Sequence, residues 1–177
     1  MAGEIIARHN QLRDAIFQIA QTANLAPLKE IRALLPSTDS RPADVLIPRF
    51  SSGRDTAYDV TVINCLRSDL IEGSAETPGF GVQQAYKTKW NTYGPACEAE
   101  GMAFVPLPVD VFGAWHSTAI QHIKKIGSSL ARATCGNDFI TIQHLFQRLG
   151  ILLVKGNTNL ILNRIPRDIQ PEINGIL

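Results

Sequence analysis

The stretch RPADVLIPRFSSGRDTAYDVTV, residues 41–62, decides the fold. Residues 43–48 and 57–64 are rich in apolar and β-branched side chains, which predicts two short strands. The RFSSGRDT segment between them is a turn with Gly53 at its centre. Each strand carries one aspartate, Asp44 and Asp59. A carboxylate in an apolar strand is costly unless something compensates its charge. Fourteen residues (45 to 58) separate the two aspartates, so a hairpin turning near Gly53 sets them side by side. Carboxylates that close repel and raise one pKa unless a cation sits between them. Mg²⁺ suits the position, because it takes oxygen ligands, keeps several waters and completes its shell with phosphate. The competing expectation is that each aspartate ends a strand or turn and pairs with Arg41 or Arg54.

Upstream, Ile5, Ile6, Leu12, Ile16, Ile19, Ala20 and Ala23 recur at helical spacing, which predicts a helix over residues 3–24. Pro27 ends it. His9 shares a face with Ile5, Leu12 and Ile16, so it points inward or along a cleft wall, with Arg13 one turn further on. An inward histidine beside two carboxylates ligates metal, shuttles a proton or holds a phosphate; the plainer expectation is a satisfied core residue. Asn10 and Asp14 project elsewhere and cap or brace neighbouring backbone. Residues 28–35, LKEIRALL, suit either a short helix or a strand.

Downstream, residues 66–80 read as a loop or broken helix. Residues 82–100 are helical by period, with Gly94-Pro95 expected to kink or split them. A lysine that stabilises charge on a phosphoryl transition state belongs on this helix. Lys87 and Lys89 are the candidates, and at two residues apart they point about 200° from each other. Lys89 falls with Val82, Tyr86, Tyr93 and Ala96 on the more apolar face. Lys87 falls with Gln83, Gln84, Asn91 and Glu98 on the polar face. A lysine on the buried side needs a reason, which favours Lys89. Residues 102–109 form a strand whose two prolines place it at a sheet edge or strand end. Residues 112–133 predict an amphipathic helix stopped by Gly136. Asn137 or Asp138 caps the next helix, residues 138–156, apolar over much of its circumference. A short helix and a Pro-containing tail follow.

With 177 residues, 45% of them hydrophobic, the chain holds one domain with a sizeable core. A net charge of +1 does not announce nucleic acid, so any such surface must come from local clusters of Lys and Arg. Arg49 and Arg54 in the hairpin turn are the best placed to touch a DNA backbone. Lys124, Lys125 and Arg132 read as a solvated helix face. Cys65, Cys97 and Cys135 lie far apart, so neither a zinc ribbon nor a disulfide framework is expected; buried reduced thiols are. His116, His122 and His144 lack metal-ligand spacing and read as structural or exposed. The N-terminus has no secretory pattern, and no apolar run approaches the length of a membrane span. The chain is expected to be intracellular and without a membrane partner.

Arg8-His9-Asn10 with Asp14, then Arg41-Pro42-Ala43-Asp44, then Asp59-Val60-Thr61-Val62, then Lys89-Trp90 make an ordered set. That set resembles the restriction-like endonuclease domain of site-specific non-LTR retrotransposons. The later GMAFVPLPVDVFGAW is similar to that family's next strand and the stretch entering its following helix. The resemblance covers roughly residues 5 to 125. It implies an α/β restriction-endonuclease-like αβββαβ core over residues 1–133, with residues 28–35 as a strand, and a helical extension over 134–177 packed on the same domain. It further implies Mg²⁺-dependent hydrolytic nicking of DNA, with Mn²⁺ as a substitute. Asp44, Asp59 and His9 would hold the metal, and Lys89 would act on the transition state. Arg13, Arg49, Arg54 and Lys87 would contact nucleic acid. The partners implied are double-stranded DNA and a reverse transcriptase segment or element RNA, in a nuclear or other intracellular setting. Two departures stand out: Ala43 intervenes between proline and aspartate, and Thr61 occupies the position where the parent PD-(D/E)xK motif carries lysine. Two other outcomes fit the same residues: a non-catalytic nucleic-acid-binding module of this fold, or an interaction scaffold whose apolar C-terminal helices bury a homodimer interface.

Overall fold

The computed structural model describes residues 2–30 and 43–165. The chain opens with helix α1 (Ala2–Thr22). Leu12, Ala15, Ile16, Ile19 and Ala20 form one stripe of this helix and, with Ala23 just past its end, are buried, as helical spacing requires. Asn24 stops it in the left-handed conformation, with φ +56°. The Leu25 amide donates to Ala20 and the Asn24 amide to Gln21, a Schellman closure of the last turn.

Strand β1 (Leu28–Lys29) pairs antiparallel with β2 (Val45–Ser51), and β2 pairs antiparallel with β3 (Arg54–Ile63). The hairpin closes on Ser52 and Gly53, both at positive φ (+53° and +75°). That is a two-residue turn of the kind whose twist matches the flanking strands. Between Ile47 and Ser51 the register shifts in a bulge. Arg49 sits there at φ +51°, and its amide donates to Asp55.

After β3 come α2 (Ile71–Glu76), α3 (Phe80–Ala99) and β4 (Ala103–Asp110), which pairs parallel with β3 from Thr56↔Ala103 to Ile63↔Asp110. The result is an open four-stranded mixed sheet in the order β1-β2-β3-β4. Helices α4 (Ser117–Ala133) and α5 (Asp138–Leu162) complete the described chain.

The two sheet faces have different covers. Val45, Ile47, Tyr58, Val60, Val105, Leu107 and Val109 pack against α1, α4 and α5 in the main core. On the other face Leu46, Ala57 and Phe104 meet Cys97, Trp90 and Tyr93 of α3. Strand alternation then dictates the site: Asp59, two residues after Ala57, faces α3.

Several expectations are corrected. The first predicted strand, over residues 43–48, starts two residues later, and Asp44 lies in the bend just before β2. Helix α3 runs unbroken through Pro95. The helix expected from residue 112 begins at Ser117. Asp110 Oδ1 takes the amides of Phe112 and Ala114 into a tight turn, and His116 then caps α4 by accepting from Thr118. The two helices expected after residue 137 are one, α5, capped by Asn137 at the Ile140 amide. Ile5 is exposed rather than on the buried stripe, and so is Cys135, whereas Cys65 and Cys97 are buried. The prolines of β4 do sit on an edge strand, yet every residue of that strand is buried. Residues 28 and 29 are strand, and residues 31–35 lie outside the described residues, as does Arg41. Helix α5, where the expected extension lies, shares its core with α1 and α4.

Candidate active site

The β2–β3 register pairs Val45 with Tyr58. Carried back one residue, it sets Asp44 opposite Asp59, and the Asp44 amide indeed donates to the Tyr58 carbonyl. Asp44 Oδ2 accepts the Val60 amide at 2.7 Å and His9 Nε2 at 3.1 Å. His9 thus reaches from α1 to the carboxylate, in a partly exposed position. Its bond to Asp44 holds the imidazole pKa above the ordinary value against the opposing effect of burial.

Asp59 is 7% exposed. Lys89 Nζ, from the middle of α3, lies 3.1 Å from Asp59 Oδ1, and Thr61 Oγ1 donates to Oδ2 at 3.1 Å. Burial pushes the Asp59 carboxyl pKa up; Lys89 opposes this and the charge of Asp44 adds to it. That coupling ties the two aspartates into one electrostatic unit. Neither pairs with Arg54, which bridges to Glu98 instead.

The helical period separated the two lysines as expected. Lys87 is exposed, while Lys89 is half-buried over the Tyr93 ring at 5.9 Å. Thr61 was noted only as a missing lysine; in the fold it is the neighbour that satisfies Asp59. Its hydroxyl was legible as a donor two residues from Asp59, on the same strand face.

The four basic residues expected at nucleic acid are dispersed. Arg13 is buried and engages Asp14 and Glu30. Asp14 also holds Lys29 and so ties α1 to β1 through side chains rather than by bracing backbone, and Asn10 Oδ1 lies against His9 Nδ1. Arg54 is held by Glu98, whereas Arg49 and Lys87 are exposed and form no ion pair among the described residues. His116 joins α3 to α4: its Nε2 lies 2.8 Å from Gln83, and its ring stacks on Tyr86 at 4.1 Å. His122 is buried against the Tyr58 hydroxyl at 2.9 Å. Both are structural, as the sequence suggested, and His144 is exposed.

Among the described residues, no three His, Cys, Asp or Glu side chains are grouped so that they could hold a metal ion together. Mg²⁺ asks less than that, since one or two carboxylates with waters and substrate phosphate suffice. Asp44 Oδ1 accepts no hydrogen bond among the described residues, and Asp59 is held only by a lysine and a hydroxyl. The donor set therefore fits a two-carboxylate hard cation, with His9 hydrogen-bonded to one of its carboxylates. No protein-family model matches the sequence, and no curated protein matches it. No described helix is long and apolar enough to cross a membrane.

Proposed function

We propose that the chain is a metal-dependent DNA endonuclease with a restriction-endonuclease-like core, its site formed by Asp44, Asp59, Lys89 and His9. The observation that carries this reading is the pairing of Lys89 with Asp59 beside the coupled Asp44, brought together from a bend, a strand and a helix. The order α1, three antiparallel strands, a helical crossover and a parallel β4 supports the fold assignment.

Asp44 and Asp59 would hold Mg²⁺, or Mn²⁺ in its place. When bound, such an ion supplies Lewis acidity toward a phosphodiester oxygen and lowers the pKa of a water. The chain's own residues then have distinct tasks. Lys89 offers a positive charge at the edge of the carboxylate pair, where negative charge develops on a substrate phosphate. His9 and the Val60 amide fix the orientation of Asp44, and Thr61 fixes Asp59. Lys87, exposed on the same helix as Lys89, is a group for backbone phosphates, whereas Arg49 is exposed in the β2 bulge, five residues along the chain from Asp44. A homodimer through α5 stays part of the proposal because Ile140, Ile151, Val154 and Ile161 are exposed along that helix.

The test is nicking of supercoiled plasmid with Mg²⁺. Wild type should nick, and Asp44→Asn, Asp59→Asn and Lys89→Met should each lose the activity while keeping the wild-type circular dichroism spectrum. A wild type that leaves the plasmid intact, or a variant that cuts at the wild-type rate, overturns the assignment. Thr61 in place of a lysine favours the second reading, a non-catalytic nucleic-acid-binding module. Calorimetric titration with Mn²⁺ separates the two, since the second reading expects no heat of binding.

A further inference from the structure

Beside the carboxylates lies a pocket of about 450 Å³ whose wall includes both Lys89 and Thr61, the two residues that hold Asp59. A ligand there sits one side chain away from the proposed site of cleavage. The rest of the wall is apolar on one side and polar on the other, the polar side including the Asp69 carboxylate that pairs with Arg67. Leu70 and Phe80 are apolar, and Phe80 presents an aromatic ring. Gln84 adds an amide with no intramolecular hydrogen-bond partner among the described residues, and Arg67 adds a second cation. The Arg67 Nε and Nη2 are taken by Asp69, which leaves Nη1.

The aromatic ring is held in place by design of the backbone. A Cβ at Gly73 would lie 2.5 Å from the Phe80 ring, so the bare α2 glycine is what lets the ring lie against that helix. An apolar and aromatic wall, a free amide and two cations are the complements of a nucleobase face, a base edge and flanking phosphates. The volume falls in the range of small-ligand pockets, about 300–1,000 Å³. It suits one nucleotide.

We propose that this pocket takes an unstacked nucleobase adjacent to the scissile phosphate, so that the strand to be cut is presented unpaired. The proposal rests on the nuclease reading above for the word scissile, and on the pocket alone for the binding. Phe80 stacks on the base, Gln84 reads its edge, and Arg67 and Lys89 neutralise the phosphates on either side. The substrate class is therefore single-stranded or locally opened DNA, rather than an undistorted duplex.

The test is fluorescence anisotropy with the full chain in EDTA, using a short fluorescein-labelled DNA single strand and its duplex. Phe80→Ala should weaken single-strand binding by about fivefold or more, the low end of stacking losses, and Gln84→Ala by about threefold or more through the lost base-edge hydrogen bond. Duplex binding should stay within about twofold, since phosphate contacts are untouched. The Gln84 side chain is partly exposed and forms no hydrogen bond among the described residues, so its variant decides the matter if Phe80→Ala fails to fold. Equal losses on both ligands, or no loss on the single strand, overturn the proposal. Parallel plasmid nicking keeps the two readings apart. Single-strand binding through Phe80 and Gln84 without any nicking sinks the nuclease and leaves the pocket. Nicking by a wild type whose single-strand binding ignores both substitutions sinks the pocket and leaves the nuclease.

Discussion

Lys89 Nζ stands 3.1 Å from both carboxylate oxygens of Asp59, thirty residues away in sequence. Helix α3 brings it there because the helix packs on the same sheet face from which Asp59 projects. The pair is asymmetric. The Asp59 side chain retains 10% of its exposure and Lys89 retains 32%. The carboxylate bears the desolvation, and the ammonium keeps one side toward the pocket.

That asymmetry predicts opposite stability effects from the two partners. Burial raises the Asp59 pKa, so the folded state holds its proton to higher pH than the unfolded chain. Ionised Asp59 therefore costs folding free energy above its folded pKa, and that cost disappears as pH falls through it. Asp59→Asn should raise the urea midpoint at pH 7, with Lys89 turning outward to solvent. Lys89→Met should lower stability by about 1–2 kcal/mol, because it strands the buried carboxylate. A lower midpoint for Asp59→Asn would contradict this account.

Tyr58 and His122 predict an acid limb. Burial, with a smaller effect of Lys125, lowers the His122 pKa to about 4, so the ring is neutral where its Nδ1 meets the Tyr58 hydroxyl. The unfolded histidine takes a proton near its ordinary value of 6.5. Stability supplied by His122 is thus full above about pH 6.5 and drains as pH falls toward 4. His9, shifted the opposite way, adds stability as pH falls, so the wild type reports the net of the two. Thermal melts of His122→Gln across this range should show a flatter acid limb than wild type. An unchanged slope counts against the assignment.

Close approach of α1 and α5 depends on Gly156. A Cβ there would lie 2.5 Å from Arg8 Cγ. Arg8 is buried and its Nη1 is tied to Asn157, which in turn donates to the Val111 carbonyl. The side chain has nowhere to retreat. Gly156→Ala should cost about 1–3 kcal/mol by overpacking, despite the better helix propensity of alanine. Chemical denaturation checks it, and a stabilised variant would mean the interface yields freely.

Ser52 occupies the first position of a turn in which both central residues have positive φ. Asparagine tolerates that conformation better than serine. Ser52→Asn should stabilise the chain by about 0.5 kcal/mol through relief of local strain. Its denaturation midpoint should rise with no change in single-strand binding.

Much of the site was legible because its signals are local. The turn at Gly53 follows from its dipeptide, and the opposition of Asp44 and Asp59 follows from counting back from it. The choice of Lys89 over Lys87 needs only the helical period and the neighbours Tyr86 and Tyr93. His9 emerges in the same way from Leu12 and Ile16. The Ile5 error marks the limit of this method: periodicity gives a stripe, but how far along the stripe a partner extends is a tertiary fact. The late start of α4 was hidden for a similar reason. Residues 112–116 continue an amphipathic pattern, but the amides collected by Asp110, the Asp110 amide's bond to the Ala114 carbonyl and the His116 amide's bond to Pro108 hold them in a turn.

By itself, then, the sequence determined helix α1, the hairpin, the edge character of β4 and which faces of their elements carry Asp44, Asp59, His9 and Lys89. These rest on propensity and spacing over a few residues. Only the tertiary structure decided that β4 runs parallel to β3, that Arg13 faces Asp14 and Glu30, and that Thr61 serves Asp59. It alone decided that Phe80, Gln84 and Arg67 form a pocket with Lys89. Those outcomes depend on which faces of distant elements meet, and burial of the two sheet faces by different helices chose among arrangements that local pattern leaves equal.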